Sequence, residues 1–434
     1  MLEVHCATSL EELAARREEL NALNLASRLP DPFSTFEFYE LYCEHDEFRR
    51  HGVDTQLWFL TVREEGRIVG YLPLRRARDR ALGIGCWKVE FLATHDNDRP
   101  HLVARPTDEE RCREAVFRWL RAHDREWSSL ELKQQPADST LRETAPFGAP
   151  RHYVRTFPNL ENSSIEIRWK TLREWFRERN QKRRKNISRQ FRMLAELGRL
   201  EHLGSDDPAA TPLLFELYRT IEARSWKAHA HATVARSTRR LEFFRELLGA
   251  RSPLRVRIDL LLLDGVPVAG LVCGAFAKRL YAIHNVFDDA YAKVGPGGSV
   301  LLLGLREAIE GGYLTFNLLS GFGYYKARWA AEITPTEAVQ IFRVGSARFL
   351  QALAGEMRRK LFAPAEPPPD FNLVRREATA APAAVAAGER ERMGALVGEL
   401  ARLGVVAAGQ DALERTLPFS LRRAAESDAL EAAS

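Results

Sequence analysis

The sequence predicts an α/β protein of the α+β kind, in which two similar domains follow one another and each has a mixed, mostly antiparallel sheet flanked by helices. Its 434 residues exceed what one core normally organises, so more than one domain is expected. Strand-like segments flank the turn pairs Glu65-Gly66 and Asp264-Gly265, and each pattern predicts a β-hairpin. The two turns lie about 200 residues apart, which favours a repeated fold.

The first predicted domain covers residues 1–160. The first 30 residues are predicted to be helical, since Ser9, followed three residues later by Glu12, is typical of a helix start. Strands are then predicted at 56–62, 67–74, 87–92 and 130–133, and a second helix at 109–124.

The second predicted domain covers residues 161–345, and its later part repeats this plan. Strands are predicted at 255–263, 266–276, 279–287 and 313–319, with a helix from 299 to 310 before the last of them. The remaining residues, 346–434, contain the linker-like segment EPPPD and are rich in alanine, arginine and glutamate. This composition predicts a loosely ordered tail that is helical or disordered.

Charge and cysteine content exclude some classes of protein. The net charge of +5 permits an anionic ligand without requiring one. The five cysteines are widely spaced and form no CxxC pair, which favours a reduced, cytoplasmic protein without a thiolate zinc site. No signal peptide or membrane-spanning run is visible, so no transmembrane segment is expected.

A glycine-rich loop precedes the helix of the second domain. Gly295, Gly297, Gly298 and Ser299 follow a predicted strand, so backbone N–H groups would be exposed where the helix begins. The helix dipole favours an anion there, and a phosphate or pyrophosphate is the natural ligand. A plain strand-to-helix turn with Ser299 as N-cap is the alternative.

A basic helix is predicted at 177–194. Its apolar stripe, projected backward at about 100° per residue, passes through Asn180, Arg183 and Arg184. These side chains should lean toward the interior or a cleft, where the arginines need an anionic partner from the protein or from a ligand. The basic side chains of the opposite face are Lys182, Lys185, Arg189 and Arg192. That face is either solvated or meets nucleic acid or an anionic membrane surface.

Several segments together resemble the two-domain acyltransferases of the GNAT superfamily that are cellulose-biosynthesis acetyltransferase-like, which are distantly similar to Fem-type aminoacyltransferases. In chain order these segments are DPFSTFEFYELY (31–42), GRIVGYLPL, the basic helix with Arg184, Asn186 and Arg189, IEARSWKA, LDGVPVAG, GPGGSVLL and FNLLSGFGYYKARW. Two positions depart from the family pattern, since Asn317 stands where an aspartate is usual and Phe322 where an acidic residue is common.

This resemblance implies tandem GNAT-like domains and an N-acyltransferase that uses acetyl-CoA or another acyl-CoA and no metal. The second domain would bind the CoA pyrophosphate on Gly297, Gly298 and Ser299, within the loop that Gly295 opens. The acceptor would be an amine of a saccharide, an amino acid derivative or a metabolite. The alternatives are an aminoacyl-tRNA-dependent Fem-type transferase, with tRNA as partner, and a catalytically inactive scaffold in bacterial exopolysaccharide synthesis. The sequence gives no oligomeric state.

Acyl transfer from a thioester to an amine requires alignment, a deprotonated amine, a polarised thioester oxygen and an acid near the leaving sulfur. On the family pattern, Tyr325 is the first candidate for a catalytic hydroxyl. His284 in the strand 279–287 is either a general base or a satisfied core histidine. Asp96, in the loop THDNDRPH (94–101), is a candidate base, although a polar turn or a metal site are other interpretations of that loop.

The candidate substrate-binding residues share a polar or charged side chain that could hold a substrate group. They are Lys326, Arg183, Arg184, Asn317 and Asp98.

Overall fold

The structure is a computed structural model, and it describes residues 2–45, 54–93, 97–230, 232–321, 326, 329, 332–362 and 385–421. The chain forms two compact units. The first unit contains Met1–Ser163, Leu319–Ala327 and Glu332–Asp370, and the second contains Ser164–Leu318, Arg328–Ala331 and Phe371–Ser434. The chain therefore passes between the units more than once, and the boundaries 1–160, 161–345 and 346–434 stay predictions.

Strands and helices alternate irregularly along the described residues. The strands are β1 (Glu3–Ala7), β2 (Thr55–Glu64), β3 (Arg67–Ala81), β4 (Ile84–Phe91), β5 (Val103–Ala104), β6 (Ser129–Pro136), β7 (His152–Pro158), β8 (Asn162–Glu166), β9 (Leu200–Ser205), β10 (Arg255–Leu263), β11 (Val266–Phe276), β12 (Arg279–Phe287), β13 (Thr315–Ser320), β14 (Glu332–Thr334) and β15 (Thr336–Arg343). The helices are α1 (Glu11–Ala14), α2 (Arg17–Leu25), α3 (Phe36–Glu44), α4 (Glu109–Ala122), α5 (Leu172–Arg177), α6 (Gln181–Ala195), α7 (Thr211–Ala223), α8 (Trp226–His229), α9 (Thr238–Leu247), α10 (Pro296–Glu310), α11 (Ala347–Phe362), α12 (Ala387–Arg402) and α13 (Gln410–Thr416).

The first unit is built on a sheet with the strand order β1-β2-β3-β4-β6-β15-β7, and β5 pairs with β3. The strands β4 and β6 are parallel over three residues each, Lys88–Glu90 and Ser129–Glu131. The other registered pairs of this sheet are antiparallel. Apolar side chains of one sheet face pack against α4 and form the core of this unit.

The second unit is built on a sheet in which β8, β13, β12, β11, β10 and β9 are successive neighbours. The strands β12 and β13 are parallel, and β9 to β12 are antiparallel. Leucines of α10 pack on this sheet together with Ile187, Phe191 and Leu194 of α6. Two mixed, mostly antiparallel sheets flanked by helices confirm the predicted fold class.

Both predicted hairpins are confirmed, and their turns share one backbone geometry. Glu65 and Gly66 have φ values of 50° and 77°, and Asp264 and Gly265 have 50° and 76°. A two-residue turn with positive φ at both positions matches the right-handed twist of the strands that it joins. Local sequence therefore sets these two connections.

The helix predicted at 177–194 begins later than expected. Asn180 is exposed and caps α6, because its side-chain oxygen accepts a hydrogen bond from the Arg183 N–H at 2.9 Å. The expectation that Asn180 leans toward the interior is therefore wrong. A separate short helix, α5, precedes it.

The region 346–434 includes packed helices among its described residues. The helix α11 belongs to the first unit, whereas α12 and α13 belong to the second. Leu413, Leu417 and Leu421 are buried in the core of the second unit. No helix within the described part of the chain has the length and apolar character needed to cross a membrane.

Candidate active site

The second unit contains a strand–helix–strand crossover formed by β12, α10 and β13. The parallel pairing covers only Arg279–Tyr281 and Thr315–Asn317. The rest of β12, residues 282–287, extends past that paired segment toward the start of α10. Ligands in mixed α/β sheets commonly bind near the carboxyl ends of such strands.

A β-bulge interrupts the extended part of β12. Val272 pairs with His284 and the next residue, Cys273, pairs with Ala282, so Ile283 is the extra residue. A bulge releases backbone groups from the ladder and re-aims the side chains beside it, and bulges are frequent next to active sites.

The glycines at the start of α10 have different physical roles. Gly295 has a φ of 70°, and a Cβ there would also meet the Gln190 amide. A Cβ on Gly297 would lie 2.8 Å from Phe287 Cδ1, so close packing requires that glycine. At Gly298 the nearest atoms to such a Cβ would be 3.4 and 3.9 Å away. These are ordinary van der Waals distances, so protein packing does not require a glycine at 298.

The backbone N–H groups of this first turn are not all free to bind the predicted pyrophosphate. The N–H groups of Gly298 and Ser299 both donate to Gly295 O, at 3.1 and 3.3 Å. Among the described residues the Gly297 N–H has no acceptor. Of the predicted donors, Gly297 therefore offers the available N–H, reinforced by the dipole of a helix of 15 residues.

Two buried oxygens near this turn also lack partners within the described part of the chain. They are Ser299 Oγ and Asn285 Oδ1, while the Asn285 amide donates to Gly297 O at 3.2 Å. Buried polar atoms are normally hydrogen-bonded, so these orphan groups indicate a polar ligand or water at this position. The Ser299 hydroxyl can donate to a phosphate oxygen, whereas Asn285 Oδ1 only accepts and requires a donor such as water.

Arg183 lies beside the same helix start. Its guanidinium is 4.8 Å from the centroid of the Trp329 ring, and a Cβ on Gly298 would lie 3.9 Å from Trp329 Cζ2. Arg183 and the first turn of α10 therefore flank one indole. Trp175 also stacks on Trp329, with centroids 5.6 Å apart and planes at 7°. This packing places a fixed positive charge next to the N-terminus of α10.

The basic helix α6 has the two predicted faces in part. Arg183 and Arg184 are half-buried, and Lys182, Lys185 and Arg189 are exposed, but Arg192, predicted on the exposed face, is half-buried as well. The described residues contain no ion-pair partner for the Arg184 guanidinium. Arg184 therefore remains available to an anion on the inner face.

His284 lies in a buried polar cluster of the second unit. Lys227 Nζ donates to His284 Nε2 at 2.9 Å, and Tyr218 Oη is 2.6 Å from Nδ1. Glu222 Oε1 is 3.7 Å from the same Nδ1. Burial lowers the pKa of His284 well below its usual range, and the charges of Lys227 and Arg240 lower it further. With both ring nitrogens engaged, the geometry favours the core-histidine interpretation.

Asn317 is 3% exposed and pairs in register with Tyr281, at the last paired position of β12 and β13. The departure from the family's aspartate therefore removes a carboxylate at the point where the pairing ends.

Two predicted substrate-binding residues, Lys326 and Asp98, lie close enough in the first unit to interact electrostatically. Lys326 Nζ donates to Ser320 O at 2.9 Å and to Leu319 O at 3.3 Å. Burial lowers the pKa of Lys326 to about 8, and the Asp98 charge opposes this shift. Asp98 is itself buried and accepts a hydrogen bond from Asn162 Nδ2 at 2.7 Å.

Two predicted catalytic residues, Tyr325 and Asp96, lie outside the described residues. The departure Phe322 lies outside them as well. These assignments remain predictions that rest on the family resemblance.

The sequence analysis missed Gln190, Asn285 and the Trp175–Trp329 stack. Gln190 follows Arg183 by seven residues, which places both on one helix face, so helical spacing could have indicated it. No local signal connects Trp329 with Trp175, because 154 residues of sequence separate them.

A comparison with protein families identifies the class of one segment of the chain. Residues 181–327 match the family described as Acetyltransferase (GNAT) domain. The chain thus contains a GNAT-type acetyltransferase domain, which confirms the resemblance inferred from the motifs. No curated protein shows significant sequence similarity to the chain.

Solved structures of low sequence identity also align with it. The C-terminal domain (DUF2156) of a putative lysylphosphatidylglycerol synthetase from Agrobacterium fabrum is 13% identical with a TM-score of 0.46, over 81% of this chain and 97% of that chain. FemX is 9% identical with a TM-score of 0.49, over 81% and 99%. A tandem GNAT protein from the clavulanic acid biosynthesis pathway is 14% identical with a TM-score of 0.41, over 80% and 99%. These values assign no substrate or residue role to this chain.

Proposed function

We propose that the protein is an acyl-CoA-dependent N-acyltransferase that transfers an acetyl or longer acyl group to an amine. The observation that supports this best is the start of α10 in the GNAT-type domain. There the available Gly297 N–H, the glycine at 298 and the Arg183 guanidinium lie close to Trp329. A helix N-terminus with an adjacent arginine suits a pyrophosphate.

In the proposed reaction the amine nitrogen attacks the thioester carbonyl carbon, the C–S bond then breaks, and the leaving thiolate takes up a proton. We propose that a backbone N–H at the Ile283 bulge polarises the thioester carbonyl, since a bulge takes backbone groups out of the ladder. On the family pattern Tyr325 supplies the proton to the sulfur, and Asp96 accepts the proton from the amine. Lys326 and Asp98 are proposed to contact the acceptor. We propose no catalytic role for His284, because Lys227 and Tyr218 contact its two ring nitrogens.

The acceptor that we propose is an amine of a saccharide, an amino acid derivative or a metabolite. A Fem-type transferase that uses aminoacyl-tRNA is the second candidate. The exposed basic residues Lys182, Lys185 and Arg189 on α6 favour it, since such a face can neutralise phosphates.

Calorimetric titration of the full chain with acetyl-CoA and with longer acyl-CoAs tests the proposal. We expect the Arg183→Met variant to bind the preferred acyl-CoA about 10- to 100-fold more weakly, the usual cost of one charged hydrogen bond. Arg189→Met is the matched control, because Arg189 lies on the exposed face of the same helix. Absence of binding by any acyl-CoA would refute the proposal, and tRNA affinity that falls steeply with salt would favour the Fem-type function.

The Tyr325→Phe variant separates catalysis from binding. We expect kcat to fall by about 10²-fold or more with an unchanged acyl-CoA Kd, since general acid catalysis contributes that much. Unchanged kcat would remove Tyr325 from the chemistry. Tight acyl-CoA binding without turnover on any amine would instead indicate the inactive scaffold.

A further inference from the structure

The first unit contains a cavity of about 400 Å³ that the proposed reaction does not use. Side chains of β4, β6, β7, β15 and α11 line it. Its volume lies in the range of small-molecule sites. The charged residues of the lining are Lys88, Lys133, Arg155, Arg348, Arg359 and a single acid, Glu131.

A polar row crosses the sheet beneath this cavity. Register pairs join Arg75 to Glu90, Glu90 to Glu131, Glu131 to Gln340, and Gln340 to Arg155. Neighbours in register point to the same sheet face, so the row occupies one face across five strands.

Most charges of the row neutralise one another. Arg75 Nη2 donates to Glu90 at 2.8 Å, and Lys88 pairs with both Glu90 and Glu131. Gln340 Nε2 donates to Glu131 at 2.7 Å, and its oxygen accepts from Arg155 Nε at 2.8 Å. The row therefore holds Gln340 in one orientation, and Gln340 in turn fixes Arg155.

Arg155 is the end of the row that remains unneutralised. Its guanidinium lies over the rings of Phe342 and Phe157, 5.2 and 5.7 Å from their centroids. Within the described part of the chain no carboxylate pairs with Arg155, and its two terminal nitrogens have no hydrogen-bond acceptor. The two terminal nitrogens of Arg155, called here the Arg155 fork, are held in place by the two rings and the Gln340 amide. They are therefore pre-organised to bind an anion through two hydrogen bonds.

Further positive charge surrounds this fork. Lys88 and Arg348 are already paired, Arg348 with Asp79. Arg359 has no carboxylate partner among the described residues, and Lys133, 52% exposed, is 3.5 Å from Glu131. The uncompensated charge of the cavity is therefore carried by Arg155 and Arg359, with Lys133 beside them, which matches a doubly charged group.

We propose that this cavity binds a small phosphate-bearing molecule, with the Arg155 fork on the phosphate and Lys133 and Arg359 beside it. The site belongs to the first unit, and it requires neither the start of α10 nor acyl-CoA.

Titration of the full chain with inorganic phosphate, glucose 6-phosphate and malonate at constant ionic strength tests this proposal. We expect both phosphates to bind, and malonate to bind at least about 10-fold more weakly. The Arg155→Met variant should lose about 10-fold or more in phosphate affinity, and Arg155→Lys should be intermediate because it keeps the charge without the fork. Arg151→Met is the matched control, since Arg151 is exposed and does not line the cavity.

Two further variants keep the result interpretable. Lys133→Met removes an exposed side chain that is not a member of the row, and Glu131 keeps its partners Lys88 and Gln340. This variant should weaken phosphate binding by about 3- to 10-fold even if Arg155→Met proves unstable. Arg183→Met removes the arginine beside the start of α10, so phosphate binding that remains in this variant and is lost in Arg155→Met belongs to this cavity. Phosphate affinity that survives in both Arg155→Met and Lys133→Met, binding of malonate as tight as that of phosphate, or no phosphate binding by the wild type would overturn the proposal.

Discussion

The crossover β4–α4–β6 in the first unit and the crossover β12–α10–β13 in the second have the same architecture and different helix starts. In each, a helix lies between two parallel strands that pair over three residues, although the short strand β5, which pairs with β3, comes between β4 and α4. The helix α4 follows its N-cap residue Asp108 and has Glu109 and Glu110 in its first turn, whereas the first turn of α10 contains no acidic residue.

This difference shows that the same crossover can either neutralise its helix N-terminus with its own carboxylates or leave it open to an anionic ligand. Carboxylates in a first turn satisfy the positive end of the helix dipole from within the protein and repel an anionic ligand. Glycines leave that end to a ligand. The second crossover is therefore suited to a pyrophosphate, and the first is not. In the first unit the proposed phosphate site lies instead on a sheet face, at Arg155.

The pKa of a buried aspartate is also shifted in opposite directions in the two units. Burial raises the pKa of Asp31 in the first unit to about 7, because only Ser34 and backbone groups counter it and Asp98 adds to it. In the second unit burial opposes ionisation of Asp259, but hydrogen bonds and charges of His202 and Arg257 outweigh it and lower the pKa to about 2. Proton-linked stability should therefore have opposite signs in the two units.

The largest expected effect is the change in free energy of unfolding caused by Asp31→Asn. The folded state of the wild type binds the proton more tightly than the unfolded state, so Asp31 lowers stability progressively as pH rises from about 4 to 7. The variant should lack this decline and be more stable than the wild type at pH 8 by about 2–4 kcal/mol. Urea unfolding at a series of pH values measures it, and an unchanged pH profile would contradict the contrast with Asp259.

Asp259 should give the opposite dependence of stability on pH. Because its pKa is lowered on folding, its stabilisation is present above about pH 4 and is lost as pH falls toward 2. Asp259→Asn should therefore destabilise the protein at pH 7, where Asp31→Asn does not.

The next largest effect concerns how closely α10 packs on its sheet. A Cβ at Gly304 would collide with Leu271 and lie 3.1 Å from Phe316 Cζ. We expect Gly304→Val to cost about 1–3 kcal/mol of unfolding free energy through overpacking. Chemical denaturation measures this value, and a cost below about 0.5 kcal/mol would show that the helix can move away from the sheet at no penalty.

A smaller effect is expected when α10 is given the electrostatics of α4. Gly298→Asp should weaken acyl-CoA binding by about 10- to 100-fold, because the new carboxylate repels the pyrophosphate. Stability should not fall, since a carboxylate in a first turn favours the helix. Gly298→Ala is the control, and equal affinities of the two variants would argue against an anion at this turn.

The smallest effect is expected in the reverse direction, at α4. Glu110→Gln should cost about 0.3–1 kcal/mol, since it removes one charge from the first turn and its pair with Arg113. Thermal unfolding measures the cost, and acyl-CoA affinity should stay at the wild-type value. A lower affinity would indicate that the first crossover also takes part in binding acyl-CoA.

Features of the site that depend on residues close in sequence could be predicted, whereas features that depend on residues far apart in sequence could not. The glycine-rich segment Gly295–Ser299 was recognised because a strand, glycines and an amphipathic helix follow one another locally, but the structure places Pro296 to Ser299 inside α10 and not in a loop before it. The hydrogen bonds of this first turn could not be predicted from the sequence. The backbone geometry decides that the N–H groups of Gly298 and Ser299 donate to Gly295 O and not to a ligand. Similarly, helical periodicity placed Arg183 on an inner face, but the partner there, Trp329, comes from a distant part of the chain.

The sequence by itself determined the hairpins at Glu65-Gly66 and Asp264-Gly265, the α+β character and the GNAT-type order of motifs. These features depend on turn chemistry and periodicity, which act between neighbours in the chain. Tertiary structure alone decided that Arg75, Glu90, Glu131, Gln340 and Arg155 form one row, because strand order brings residues far apart in sequence into register. It also decided that α4 and α10 stand in equivalent crossovers with opposite charge at their starts.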